Sequence, residues 1–490
     1  MDINDLNNIK LTRSQENVLK DILQFADSPS ERVFILKGYA GTGKTTLMRF
    51  LIQELEKKNK SYRLLASTGR AAKVLANLSN SNGNTSTIHS MIYSFNGLSK
   101  VYDEKEEPVV DKDGQLFLVF EPTKLDETEK PETIYIIDEA SMVSDVATKD
   151  VTQAKFGEGR LLKELLDYDT RRNSKFIFVG DPCQLPPIEE YYSPALMKDY
   201  FQEHFGMVAQ EAQLTEIMRQ KGANGIIDAS KQIRGLYNQA PNDKQIYGIQ
   251  KLWGFLPFRQ YKDIQLHDSF ESMTNDYVAK VQSCGLNSAV CICRSNKDCS
   301  ILSNSIRKKL GFTYGRIQEG DLLMVIQNNM PTGLMNGDMV TIEELGPKTE
   351  SRGGLTFREI TVKELFTGKT IKTLIIEEIA NQARLNLDSA QQQALFIDFI
   401  IRMRDIGITQ KDSRQFNHQM FNDPYLNALR CVYGYAITCH KSQGGEWEDV
   451  YVHVPRNITL NPTKETYQWI YTSMTRAKKT LHMIDDFFIK

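Results

Sequence analysis

This 490-residue chain has no apolar run long enough to span a bilayer. The most apolar stretch near residue 395, "LFIDFIIRM", is interrupted by Asp398 and Arg402 and reads as buried protein interior. The N-terminal "MDINDLNNIK" is acidic and polar, which excludes the pattern of a secretory leader. There is no basic excess. The formal net charge is −2, so a polyanionic partner needs a locally basic cleft rather than a generally basic surface. There is no zinc-ribbon spacing either. Four of the seven cysteines, Cys284, Cys291, Cys293 and Cys299, crowd together without a CxxC pair. Cys291 and Cys293 alternate as inward-facing strand residues would. An odd number of cysteines in a long chain fits free thiols in a reducing compartment, and a cytoplasmic protein is the expectation. Internal repeats and low-complexity tails are also missing.

What is present is ordinary globular composition, 41% hydrophobic and 25% charged, in a chain too long for one core. "RVFILKG" and "YRLLAST" read as short strands, and "TTLMRFLIQELEKK" and "GRAAKVLANL" have helical apolar spacing. That alternation predicts an α/β fold with parallel sheets. Residues 91–131 break it with "YDEKEEPVV", "DKDG" and "QLFLVFEP", which predicts an inserted β-hairpin turning at the Asp-Gly pair. The pattern resumes at "TIYIIDEASMV" and "SKFIFVGDPCQLPP". A second interruption spans residues 331–430, strand-like first and helical afterwards. The expected units are residues 1–90 with 132–222, the hairpin 91–131, residues 223–330 with 431–490, and the insertion 331–430.

Residues 38–45, "GYAGTGKT", fit GxxxxGK[ST] between a strand and a helix. Gly38, Gly41 and Gly43 let backbone N–H groups turn toward a phosphate chain, with Ala40, Thr42 and Thr46 completing the loop. Lys44 would reach the outer phosphates, and the Thr45 hydroxyl would ligate magnesium. "IYIIDEAS" ends a strand in two acids, which suits Asp138 to magnesium and Glu139 to an attacking water. In "VGDPCQLPP", Gln184 is a neutral amide able to sense a terminal phosphate. Arg219 in "LTEIMRQ" and Arg476 in "YTSMTRAKKTL" are candidates to stabilise transition-state charge. Each motif also has a plain reading: a glycine turn, a strand-end acid, a proline loop, a surface arginine.

In order and spacing these segments resemble the superfamily 1B helicases, in particular the RecD-like and Dda-like group. "LTRSQ" is similar to the Q motif, "LLASTGRAAKVL" to motif Ia, "TSTIHSMI" to motif Ib and "GYAITCHKSQGGEWEDV" to motif V. The resemblance implies two RecA-like parallel-sheet P-loop domains with an inserted β-hairpin and an SH3-like subdomain. It implies an ATP-dependent DNA helicase moving 5′-to-3′ on single-stranded DNA and separating forked duplex. ATP and Mg2+ would be the cofactors. By the same resemblance, Gln15 would read the adenine, and Gln443 and Glu446 would complete the nucleotide site. Ser67, Thr68, Arg70, His89, Thr438, His440 and Lys441 would lie along the DNA. An RNA helicase, or a nucleotide-gated DNA-binding module without unwinding, are the alternatives.

Hydroxyls and cations suit phosphate oxygens, and a histidine ring suits stacking on a base or a structural role at a helix start. The hairpin's "DEKEE" is acidic and would face solvent rather than a duplex. Phe117 and Phe120 are either a wedge at the fork or the packing of the hairpin on its own domain. Protein partners are open, and a monomer is the default form.

Overall fold

The computed structural model describes residues 10–76, 84–98, 101–102, 108–109, 118–123, 132–147, 154–169, 174–217, 225–248, 250–382, 386–408 and 414–490. Arg219, Phe117 and the expected Asp-Gly turn of the hairpin lie outside them.

The first helix, Arg13–Asp27, starts at a reciprocal cap. Thr12 accepts from the Gln15 N–H, and the Gln15 side chain accepts from the Thr12 N–H. Val18, Ile22, Phe25 and Ala26 fall on one face and are buried. The second helix, Lys44–Lys57, has no side-chain cap, because Gly43 precedes it in a left-handed conformation. A missing cap costs roughly 0.5–2 kcal/mol. Leu47, Met48, Leu51, Ile52 and Leu55 are buried and outweigh it at roughly 1.5–3 kcal/mol of gross transfer energy each.

These helices cover a six-stranded, wholly parallel sheet. Its spatial order is Ala209–Leu214, Val33–Gly38, Lys175–Gly180, Ile134–Asp138, Tyr62–Ala66, Thr85–Thr87. Lys37 pairs with Gly180 and Ala66 with Asp138, so the ends of the central strands deliver the loop at 38–45, Asp138 and Asp181 side by side. Crevices beyond such strand ends are where α/β sheets bind ligands.

A second parallel sheet has five strands, ordered Ile264–His267, Ala477–Ile484, Trp447–Val452, Ala289–Cys293, Ala436–Thr438. Every residue of Ala289–Cys293 is buried, not alternate ones, because helices cover both faces of a central parallel strand. All seven cysteines are free.

A third sheet is antiparallel, ordered Thr370–Ile376, Leu355–Glu364, Met339–Arg352, Leu322–Val325, Cys431–Tyr433. It reaches outside the expected bounds of 331–430 at both ends. The physical reason is a shared core: Leu322, Val340 and Ile360 pack in one cluster with Tyr277 and Cys291 of the second parallel layer. The helices Ser389–Asp405 and Arg414–Asn422 bury Phe399, Met403, Phe416 and Met420 in a small core of their own.

The inserted hairpin pairs Tyr93–Leu98 with Leu118–Pro122, as expected. A third strand, Ala154–Phe156, joins it in parallel from beyond residue 131. Among the described residues no helix is long and apolar enough to cross a membrane.

Candidate active site

The loop at 38–45 is shaped by positive φ at Gly41 and Gly43, 78° and 81°. The uncapped first turn of Lys44–Lys57 leaves its N–H groups facing the loop's concavity, the arrangement that attracts phosphate. Lys44 Nζ donates to the Gly38 carbonyl at 2.6 Å and to the Tyr39 carbonyl at 3.2 Å, so its charge is held against the loop. Thr45 is exposed at the helix start, Thr46 is half-buried, and Thr42 donates its hydroxyl to the Tyr39 carbonyl at 2.8 Å.

Beside the loop, Asp138 accepts from the Glu139 N–H at 2.9 Å. Glu139 itself sits at φ 50°, an uncommon conformation for a non-glycine residue, at the strand-to-turn corner. Burial and the neighbouring Glu139 charge push the Asp138 carboxyl above its ordinary range. The Glu139 N–H and Lys44 oppose that shift. Two adjacent carboxylates beside the Lys44 charge offer oxygen donors of the kind that suits a hard divalent cation. Gln15 is buried, and its Nε2 donates to the Thr42 carbonyl at 3.1 Å. With its Oε1 on the helix cap, its amide is engaged at both ends.

The second parallel domain closes over this site. The Tyr471 hydroxyl accepts from the Ala40 N–H at 2.9 Å and donates to Asp181 Oδ2 at 2.8 Å. Thr472 accepts from the Leu185 N–H at 2.9 Å. Gln443 Nε2 donates to the Leu185 carbonyl, and Gln468 Nε2 to the Gln184 carbonyl. The side-chain oxygens of Gln184 and Gln443 are both buried with no hydrogen-bond partner among the described residues. A pair of orphaned amide oxygens at one closing cleft fits a polar ligand there.

Arg476 is buried and donates to the carbonyls of Thr472 and Gly445, at 3.1 and 3.4 Å. A Cβ on Gly445 would lie 2.9 Å from the Arg70 guanidinium carbon and 2.5 Å from the Trp447 ring, so only glycine permits this approach. Glu446 is exposed and pairs with Lys478 at 3.5 Å.

The residues expected along nucleic acid divide into three places. Ser67 and Thr68 precede the helix Gly69–Ala76. The Ser67 hydroxyl is buried with no partner among the described residues, while Thr68 Oγ1 accepts from the Ala71 N–H at 3.2 Å. Arg70, on that helix, lies 4.2 Å over the Trp447 ring, and burial lowers its pKa to about 10. It is thus brought to Arg476 and the closing cleft. Thr438 starts the short helix Cys439–Ser442, with His440 and Lys441 half-buried behind it. Burial, helped by Arg294 and opposed by Glu465, lowers the His440 pKa, and burial lowers that of Lys441.

His89 and Phe120 meet in an aromatic cluster. Phe156 contacts His89 edge-on at 5.2 Å and stacks on Phe120 at 4.7 Å, and Tyr93 lies 5.3 Å from Phe156. Phe120 is half-buried against the first domain's core. Of the two readings of this ring, the packing of the hairpin on its own domain is the contact seen.

Tyr471, Trp447 and Lys73 were not singled out from the sequence. Lys73 pairs with Asp338 at 2.6 Å and with Glu364 at 3.6 Å, joining the helix Gly69–Ala76 to the antiparallel insertion. All three residues sit inside motif strings that point to the cleft. Nothing in their local spacing marks them.

A phosphate-type loop, a strand-end acid pair and a second parallel domain bonded across the cleft define a two-domain P-loop ATPase. Two family descriptions fall on the chain in that order: "AAA domain" over residues 10–240, and "UvrD-like helicase C-terminal domain" over residues 433–484. Protein R530 of Acanthamoeba polyphaga mimivirus is 24% identical over 95% of this chain and 98% of its own length. The ATP-dependent DNA helicase dda of Enterobacteria phage T4 is 26% identical over 68% of this chain, which spans 64% of that protein. A crystal structure of Bacteroides Pif1 bound to ssDNA is similar at 16% identity and a TM-score of 0.48, covering 99% of this chain and 95% of that one. The chain is thus similar to an ATP-dependent DNA helicase over 68% of its length, in keeping with the superfamily 1B resemblance of its motifs.

Proposed function

We propose that this chain is an ATP-driven DNA helicase that moves 5′-to-3′ along single-stranded DNA and separates forked duplex. The observation that carries the reading is the Tyr471 hydroxyl, which joins the phosphate loop at Ala40 to Asp181 from the opposite domain. A group bound in the loop therefore acts directly on the contact between the domains. The T4 relative's name, an ATP-dependent DNA helicase, supports the same reading. The polarity comes from the family resemblance.

ATP with magnesium, when bound, supplies the phosphoryl bond that is broken. Lys44 and the loop N–H groups would hold the phosphates, and Thr45 and Asp138 the magnesium. A cation held beside Asp138 would oppose the burial and the Glu139 charge that raise its pKa. Glu139 would orient the attacking water and accept its proton. Gln184, whose amide oxygen has no partner among the described residues, would sense the terminal phosphate. Arg476 and Arg219 would steady the charge that builds in the transition state. Gln15, already bonded to Thr42, would link base recognition to the loop. Gln443 and Glu446 would complete the pocket from the second domain.

Ser67, Thr68, His89, Thr438, His440 and Lys441 would form the DNA track. Arg70 can join that track only by leaving the Trp447 face, so we assign it to the closure of the cleft. Seven free thiols support a reducing compartment.

The test is unwinding of matched 5′-tailed, 3′-tailed and forked substrates in DNA and in RNA. Strand separation on 5′-tailed and forked DNA is expected. A strict need for a 3′ tail overturns the polarity, preference for RNA overturns the substrate, and ATP turnover without separation leaves a nucleotide-gated binding module.

A further inference from the structure

Away from the residues above, three side chains of the second domain converge. His267 ends the edge strand Ile264–His267, His482 lies on the neighbouring strand Ala477–Ile484, and Asp276 projects from the helix Phe270–Cys284. His267 Nε2 is 3.0 Å from His482 Nδ1, and Asp276 Oδ2 is 3.4 Å from that same nitrogen. The three potential ligand atoms lie within 4.8 Å of one another. Around a tetrahedral zinc with ligand bonds of about 2.0–2.1 Å, ligand atoms stand roughly 3.3 Å apart.

The cluster is also supported from outside. The Tyr451 hydroxyl donates to Asp276 Oδ2 at 2.6 Å, and its ring stacks on His482 at 4.1 Å. These contacts fix the carboxylate and the imidazole, as outer partners of metal ligands do. His482 is buried. The nearby cation Lys280 is neutralised by Asp449 at 2.7 Å.

We propose that His267, His482 and Asp276 form a binding site for one zinc-class divalent ion, which ties the domain's edge strand to the adjacent strand and helix. Two imidazoles and one carboxylate are a borderline donor set, which selects zinc or cobalt over magnesium or calcium. The Asp276 side chain is 44% exposed, so water can complete the coordination. The competing arrangement is a plain hydrogen bond between the two rings.

The test uses the full chain after dialysis against a chelator, with excess magnesium present to fill hard oxygen sites. Titration with Co2+ should give the visible bands of a nitrogen- and oxygen-ligated ion at one equivalent, displaced by Zn2+, and Zn2+ should raise the melting temperature. His267→Gln and Asp276→Asn should each weaken binding at least tenfold. Tyr451→Phe should weaken it about 10–100-fold by freeing the carboxylate. His267 and Asp276 lie at the periphery of the domain, so these two variants test the site even where a buried His482 change fails to fold. Absence of cobalt bands, strong thiolate charge-transfer absorption, or undiminished binding by both variants would overturn the proposal.

Discussion

Replacing Lys73 by methionine removes the cation that joins the first domain to the antiparallel insertion. Its ammonium lies 2.6 Å from Asp338 and 3.6 Å from Glu364, and the two acids are almost fully buried. Removing one partner of a buried pair typically costs 3–5 kcal/mol, because a buried charge is left alone. Three features reduce that here. The Lys73 side chain is 23% exposed. Asp338 keeps the Met335 N–H at 2.8 Å, and Glu364 keeps donors from Phe366 and Thr367. The Arg70 charge also lies close enough to interact with both acids. We therefore expect Lys73→Met to cost about 2–3 kcal/mol of docking, roughly a 30- to 150-fold rise in local opening. Hydrogen exchange of the amides in Gly69–Ala76 reads this directly. Adding Asp338→Asn should recover much of the loss, since the stranded charge is gone. If Lys73 instead serves as a phosphate contact, exchange stays unchanged and the salt dependence of DNA binding flattens by about one contact. That result would refute the latch.

Lys44→Ala should abolish ATP hydrolysis with little change in melting, since the ammonium binds loop carbonyls rather than filling the core; steady-state ATPase and a melting curve check it. Arg476→Ala should lower maximal turnover far more than nucleotide affinity, because its proposed contact strengthens in the transition state; a pure rise in KM argues against it. Phe120→Ala removes a half-buried ring stacked on Phe156 and should cost about 2–3 kcal/mol, below the usual range for a fully buried Phe, so melting falls; a strong unwinding defect at unchanged melting temperature would restore the wedge reading. Burial lowers the His89 pKa from 6.5 to about 4, so between those values the unfolded state binds the extra proton and stability falls as pH falls; His89→Phe should remove that part of the slope in denaturation measured across the window.

Much of the site was legible because its signals are local. The loop at 38–45, the strand-end acids and the two core sheets each rest on residues adjacent in sequence. The hairpin was legible only in part. Tyr93–Leu98 and Leu118–Pro122 follow from their own alternation, but the strand Ala154–Phe156 lies after a return through the core sheet. Phe156, which organises His89 and Phe120, was therefore invisible. The insertion's limits were misjudged for a related reason. Leu322–Val325 and Cys431–Tyr433 are apolar runs that suit either sheet, and only the packing of Leu322 and Tyr433 in the shared core assigns them. Gln15 carries a different lesson. Its position two residues into the helix predicts a capping role as well as a nucleotide role, and the cap claims its oxygen.

The two joints of the first domain differ in chemistry, and the difference bears on motion. At the phosphate loop the bonds from the second domain are mostly neutral: Ala40 to Tyr471, Leu185 to Thr472 and Gln443, and Gln184 to Gln468. Each contributes a net 0.5–1.5 kcal/mol, so the four together hold about 2–6 kcal/mol. That is within reach of the differential binding of one ligand, which at 5.5 kcal/mol moves a two-state equilibrium from 1:99 to 99:1. Tyr471 sharpens the point, because its hydroxyl occupies the Ala40 N–H that a phosphate oxygen would also seek. A nucleotide in the loop and the Tyr471 contact therefore compete for one donor, and the cleft has a built-in reason to rearrange on binding. At the insertion the joint is ionic, with two buried acids on one lysine. Binding and release in the loop would work the neutral joint first, and the helix Gly69–Ala76 carries a side chain to each joint, Arg70 to the cleft and Lys73 to the insertion.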